Sequence, residues 1–154
     1  MDANEQIVIA WLQQVKKMFI KSELYYGSHH ADIDILAVSL PNNEIWDCEI
    51  RTRTASTNMD QKSSSEIIRK FQDDEREKVI SAFVNNDDFS ISKVLIISKN
   101  YLGQTEKTIS KWTTKFTDEK IKALYLDDIV DELKSYSKEC KKTQNPIIQA
   151  MKLS

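Results

Sequence analysis

At 154 residues and 40% hydrophobic content the chain has material for one globular core and not for two, and its net charge of −2 does not announce a nucleic-acid binder. Two cysteines exclude a disulfide framework, and two glycines exclude a glycine-rich phosphate loop. The apolar runs are too short to cross a bilayer and the first residues lack a signal-peptide pattern, so a cytoplasmic location is expected.

The first element is expected as a helix over residues 4–20, because Val8, Trp11, Leu12, Val15, Met18 and Phe19 recur at three- and four-residue spacing as one apolar stripe. Asp2 is placed to cap it, with Glu5 three residues later. Glu5 also continues the stripe toward Val8 and Leu12, so it is a candidate for the cap or for a site. A short strand near 23–26 follows, then a Gly27-Ser28-His29-His30 stretch in which the histidines read as an exposed loop. Residues 32–40 read as a strand, with Asp32 and Asp34 on one face and Ile33 and Ile35 on the other. Pro41-Asn42-Asn43 is a turn signal, and residues 44–54 alternate again. Trp46, Cys48 and Ile50 share one face of that strand, and Asp47, Glu49, Arg51 and Arg53 share the other.

Residues 55–64, rich in Thr, Ser and Asn, read as a mobile loop. Ser63 and Glu66 form a capping-box pattern that opens one long helix to about residue 84, anchored by Ile67, Ile68, Phe71, Val79, Ile80 and Phe83. Val94-Leu95-Ile96-Ile97 is the continuous apolar run of a strand covered on both faces. A helix near 105–116 carries Ile109, Trp112 and Phe116 on one side. A last strand is expected over 121–126, and Asp127 or Asp128 is placed to cap a final helix with Ile129, Val130, Leu133 and Tyr136 inward. The three tryptophans fall at core spacing and read as packing residues, and Cys48 reads as a small buried hydrophobe. The order implies an α/β domain with a mixed sheet and helices on both faces over 1–138, followed by a lysine-rich, loosely ordered tail over 139–154.

Asp34 and Glu49 lie on neighbouring strands of this hairpin, where a twist brings their carboxylates together. Two such groups repel unless they share a cation, and hard oxygen ligands suit Mg²⁺ or Mn²⁺. Arg51, two residues beyond Glu49, sets a fixed positive charge beside them.

The segments Asp32-Ile33-Asp34-Ile35-Leu36-Ala37 and Cys48-Glu49-Ile50-Arg51-Thr52, preceded by a helix, resemble the core hairpin of the PD-(D/E)XK (restriction-endonuclease-like) nuclease superfamily, especially its resolvase-like and Mrr-like members. The resemblance implies a three-layer α/β/α restriction-endonuclease-like fold over residues 5–133 and a divalent-metal-dependent endonuclease. It implies that Asp34 and Glu49 bind the metal, with Asp32 and Glu5 as further acidic ligands, and that a lysine positions or activates water. Arg51 stands where that pattern has lysine. A guanidinium holds water or phosphate charge but does not give up its proton, so Lys62, Arg69 or Lys70 is needed for the lysine's part. The expected substrate is nucleic acid, DNA before RNA, with no membrane partner and with a homodimer or a larger protein partner supplying sequence choice. The charges agree in sign: residues 1–60 hold nine acidic and five basic side chains, whereas 61–154 hold fifteen and seventeen. A catalytically inactive protein of the same fold that binds nucleic acid or a partner is the alternative.

Overall fold

In the computed structural model, which describes residues 2–27, 31–52, 57–84, 88–140 and 145–152, the chain runs α1 (Ala3–Gln14), β1 (Phe19–Tyr26), β2 (Ala31–Ser39), β3 (Glu44–Arg51), α2 (Gln61–Phe71), α3 (Asp74–Val84), β4 (Ser90–Ile97), α4 (Lys99–Leu102), α5 (Glu106–Asp118), β5 (Ile121–Tyr125), α6 (Leu126–Glu139) and α7 (Pro146–Lys152). The strands form one sheet in the order β1-β2-β3-β4-β5. The β1-β2 and β2-β3 pairs are antiparallel, and the β3-β4 and β4-β5 pairs are parallel. Helices cover both faces, giving a three-layer α/β/α fold around a mixed sheet.

The apolar run of β4 shows how the layers divide. Val94 and Ile96 pack with Trp11, Leu12, Ile129, Leu133 and Ile148 of α1, α6 and α7. Leu95 and Ile97 pack on the opposite face with Ile67 and Phe71 of α2 and Trp112 and Phe116 of α5. Strand alternation thus feeds two cores from four consecutive residues. Trp11, Trp46 and Trp112 are all buried, as their spacing predicts. Among the described residues, no helix is long and apolar enough to cross a membrane.

Several boundaries differ from the expected ones. The first helix stops at Gln14, because Lys17 takes a positive φ of 58° and turns the chain. Phe19, read as the end of its stripe, instead opens β1, and Met18 lies in the connection just before it. The long helix expected over 63–84 is two helices. Asp60, rather than Ser63, caps the first by accepting from the Ser63 backbone N–H at 2.7 Å. The segment before it is tied down as well: Met59 is buried, and its N–H donates to the Tyr101 carbonyl at 2.8 Å. Neither Asp127 nor Asp128 caps α6. Asp127 instead accepts from the Lys99 backbone N–H at 3.0 Å.

The last departure is the tail. Pro146–Lys152 forms α7 and sinks Ile148 fully into the α1/α6 core, with Asn145 accepting from the Ile147 and Ile148 N–H groups at 2.9 and 3.2 Å. Ile148→Ala is therefore expected to destabilise the whole domain by about 2–4 kcal/mol, read as a lower midpoint in urea unfolding with an unchanged slope. A midpoint equal to that of the unaltered protein would show that α7 is not part of the cooperative core.

Candidate active site

Glu49 lies fully buried on β3, the central strand, and its carboxylate is the hub of the site. Oε1 accepts from Arg76 Nη1 at 2.6 Å. Oε2 accepts from Arg51 Nη1 at 3.0 Å and from Lys70 Nζ at 3.2 Å. Asp47, two residues earlier on the same face and also buried, takes the other edge of Arg76, with Nε at 2.9 Å and Nη2 at 2.5 Å. The Arg76 guanidinium lies 5.0 Å from the Phe71 ring centroid and 5.5 Å from that of Tyr26. Burial works against its charge, but hydrogen bonds and charge from Asp47, and then from Glu49, outweigh burial and hold Arg76 above its ordinary pKa.

The break between α2 and α3 makes this arrangement possible. In one continuous helix, positions 70 and 76 would point about 120° apart and sit about 9 Å apart along the axis. The break at Gln72 and Asp73, where Asp73 Oδ1 accepts from the Glu75 N–H at 2.8 Å, lets Lys70 and Arg76 reach the two oxygens of one carboxylate.

Asp34 comes from β2. The ladder to β3 ends at Ile35↔Cys48, and one step further along that register Asp34 would stand opposite Glu49. There the strands part, and Asp34 Oδ2 accepts from the Ile50 backbone N–H at 2.8 Å, with Arg51 Nη1 at 3.7 Å. The expected alternation slips at this point: Ile35 packs in the α1/α6 core, whereas Ile33 packs with Ile80 of α3. On β1, Glu23 lies between the pairs Ser22↔Ile35 and Leu24↔Ile33 and carries a positive φ of 59°. Both strands of the hairpin thus turn over together, which aims the Asp34 carboxyl toward Glu49. Burial first, and then the charge of Glu49, push Asp34 up to about 7.

Of the residues singled out in the sequence, Asp34, Glu49 and Arg51 come together as expected. Asp32 and Glu5 lie further out, on the cleft that leads to Asp34. Asp32 is mostly exposed and lies 3.6 Å from Lys70. Glu5 sits in the first turn of α1, where its backbone N–H donates to Asp2 at 2.8 Å. Burial, and then Asp2, raise its pKa. Both line a cleft of about 260 Å³ that leads to Asp34, together with Asp2, Ser22, Glu23 and Tyr25. Among the described residues, no group of three or more His, Cys, Asp or Glu side chains is gathered to hold a metal ion. Of the four expected carboxylates, Asp34 and Glu49 are the two in direct contact. Two carboxylates fit Mg²⁺ or Mn²⁺ as ions that keep several waters, and a cation there would relieve the Glu49 charge that adds to burial in raising Asp34. Arg51 and Lys70 already lean on Glu49 Oε2, so an ion bound there would compete with them.

Lys70, one of three basic residues named as a replacement for the motif lysine, is the one that reaches the site; Lys62 and Arg69 are exposed on α2. Arg76 was not foreseen. The available signal was Asp47, an acid on the same face as Glu49 in a strand meant for the interior, which requires a cation when buried. Arg53, His29 and His30 lie outside the described residues.

The fold and this cluster define an α/β protein with a buried acid-base network at the centre of a mixed sheet. Neither a family model nor any curated protein matches the chain. Among solved structures it is similar to the crystal structure of a protein of unknown function, AF1548, with a TM-score of 0.54 and 12% identity over 84% of this chain and 65% of that one. The likeness concerns the fold alone.

Two outcomes follow from the geometry. Arg76→Met leaves Asp47 and Glu49 buried without their shared cation. It should cost about 3–5 kcal/mol in chemical unfolding, with part recovered by adding Asp47→Asn; a loss under 1 kcal/mol, or no recovery, would contradict the network. Asp34 retains its proton in the folded chain from the ordinary value of 3.8 up to about 7, so it removes stability as pH rises through that window. Asp34→Asn should match the unaltered protein near pH 4 and exceed it by about 1–3 kcal/mol above pH 7. A constant gap across thermal melts from pH 4 to 8 would refute this.

Proposed function

We propose that the protein is a divalent-metal-dependent nuclease that hydrolyses phosphodiester bonds of nucleic acid, DNA before RNA, on a PD-(D/E)XK-type scaffold. The observation that carries this reading is the meeting of Asp34 and Glu49 beside Lys70, with Arg51 in reach of both acids. In that superfamily's terms Asp34 and Glu49 are the metal ligands, and Lys70 supplies from α2 the amine that β3 lacks. The ion, when bound, polarises a phosphoryl oxygen and makes a bound water more acidic.

The chain's own residues do the rest. Lys70, hydrogen-bonded to Glu49 and about a quarter exposed, orients a water or a phosphate oxygen at the pair. Arg51, whose charge is permanent, offsets negative charge that develops on the phosphate. Arg76 touches neither; it fixes Glu49 in place from behind, as a positioning residue.

One observation favours a second reading. Both oxygens of Glu49 already accept from cationic side chains, so the network is closed without a metal, as suits a catalytically inactive nucleic-acid-binding or partner-binding protein of the same fold.

The deciding experiment is cleavage of plasmid, single-stranded and branched DNA with Mg²⁺ or Mn²⁺. Activity is expected, and Glu49→Ala and Lys70→Ala should each lower it by about 10²-fold or more. Full activity in Glu49→Ala, or no cleavage of any substrate, defeats the nuclease reading and leaves the second.

A further inference from the structure

The helical layer beside Lys70 carries its charge on one side of the molecule. α2 and α5 share a core through Ile67, Phe71, Trp112 and Phe116. They are joined at the surface by Lys115 Nζ, which donates to Gln61 Oε1 at 2.7 Å and Ser64 Oγ at 2.8 Å, and by Gln72 to Glu119 at 3.0 Å. These two helices hold six basic residues against three acidic ones. On the opposite face, α6 holds five acidic residues against two basic. A net charge of −2 hides this division.

The basic side chains are also placed to be used. Lys62 and Arg69 are exposed and two turns apart on α2; Lys107 and Lys111 are exposed and about one turn apart on α5. Among the described residues none of the four has a carboxylate within ion-pair distance, whereas Lys78, Lys93 and Lys99 all do. Lys111 rests 4.9 Å over the Trp112 ring, but cations without a carboxylate partner repel one another, which disfavours the bare surface and is relieved by a polyanion. Small hydroxyl residues lie between them, Ser65 on α2 and Ser110 on α5, and these donate hydrogen bonds of the kind that phosphate oxygens accept; the exposed Glu66 is the one acid between Lys62 and Arg69. Since α2 also carries Lys70 to Glu49, the row adjoins the acidic pair.

We infer that the outer face of α2 and α5 is a phosphate-backbone track on which Lys62, Arg69, Lys107 and Lys111 hold a nucleic-acid strand beside the Asp34–Glu49 pair. The track deepens the nuclease reading and rests on it for the fate of the strand, but the binding itself requires no metal. Contacts are to phosphate and carry no sequence preference. The α1/α6 face, being acidic, turns away from the strand.

The test is binding of a fluorescently labelled 20-base-pair DNA duplex to the full chain in EDTA, with log Kobs plotted against log[KCl]. Each lost phosphate contact lowers the slope by about 0.9. Lys107→Gln/Lys111→Gln should therefore flatten the slope by about 2, as should Lys62→Gln/Arg69→Gln. Lys134→Gln/Lys138→Gln on α6 should leave it unchanged. Thermal melts establish that each variant is folded. No binding by the unaltered protein, an unchanged slope in both track variants, or an equal loss in the α6 variant overturns the track. Slope loss without cleavage in Mg²⁺ sinks only the nuclease reading; cleavage with an unaltered slope sinks only the track.

Discussion

The structure turns on one buried guanidinium. Asp47 and Glu49 stand side by side on the inward face of the central strand, both essentially without solvent contact. Two carboxylates in that position are untenable unless a cation is buried with them. Arg76 meets the demand from α3 by spreading its nitrogens over both acids, while Phe71 and Tyr26 supply ring faces that tolerate a desolvated cation. A lysine would have one nitrogen for this task; the arginine fork has three.

That interaction dictates what lies around it. For Arg76 to reach β3 from above while Lys70 reaches it from the side, the polypeptide between them must break, and it does so at Gln72 and Asp73. The same demand shapes the hairpin. Asp34 turns inward where β2 leaves β3, and the slip in alternation is shared with Glu23 on β1. Around Glu49 the acids Asp32, Asp34 and Asp47 bring the formal negative charge to four, and Arg51, Lys70 and Arg76 bring the positive charge to three. Asp34, pushed up to about 7 by burial first and by the charge of Glu49 second, holds its proton well above the usual carboxylate range.

How much of this could be read from the residues depended on period and on partner. Alternation over residues 44–51 placed Asp47, Glu49 and Arg51 together, and the hairpin register placed Asp34 opposite, because a two-residue period survives translation into coordinates with little ambiguity. The apolar run at 94–97 declared a strand buried on both faces for the same reason. The helices were harder. Residues 63–84 carry one plausible apolar stripe, and only the position of Arg76 relative to Lys70 betrays the break. Arg76 itself sits in Asp73-Asp74-Glu75-Arg76-Glu77, a run that looks like a solvated helix start. Its burial is a tertiary fact, set by Asp47 twenty-nine residues away. The tail misled through composition: its lysines suggested solvent, whereas Ile147, Ile148 and Met151 provide a short apolar face that the α1/α6 core accepts.

The two readings of the site differ in what occupies the space beside Glu49 Oε2. Arg51 and Lys70 are both partly exposed, so they lose less than Arg76 would by leaving: each regains water, while Arg76 would have to abandon two buried acids. The cluster therefore has a fixed half and an exchangeable half. Arg76 and Asp47 form the first and keep Glu49 in register whatever happens in front of it. Arg51 and Lys70 form the second; Arg51 lies 3.7 Å from Asp34 and Lys70 3.6 Å from Asp32, two acids that line the cleft with Glu5. On the nuclease reading, these two partly exposed cations are the ones that a phosphate brought along α2 would meet. On that reading the side chains that screen Glu49 would also receive the anion, and the acid pair would lose part of its screening as they turned to it. Arrival of a phosphate at Arg51 and Lys70 would then, on the nuclease reading, strengthen the demand for a cation at Asp34 and Glu49, with no movement of the sheet required.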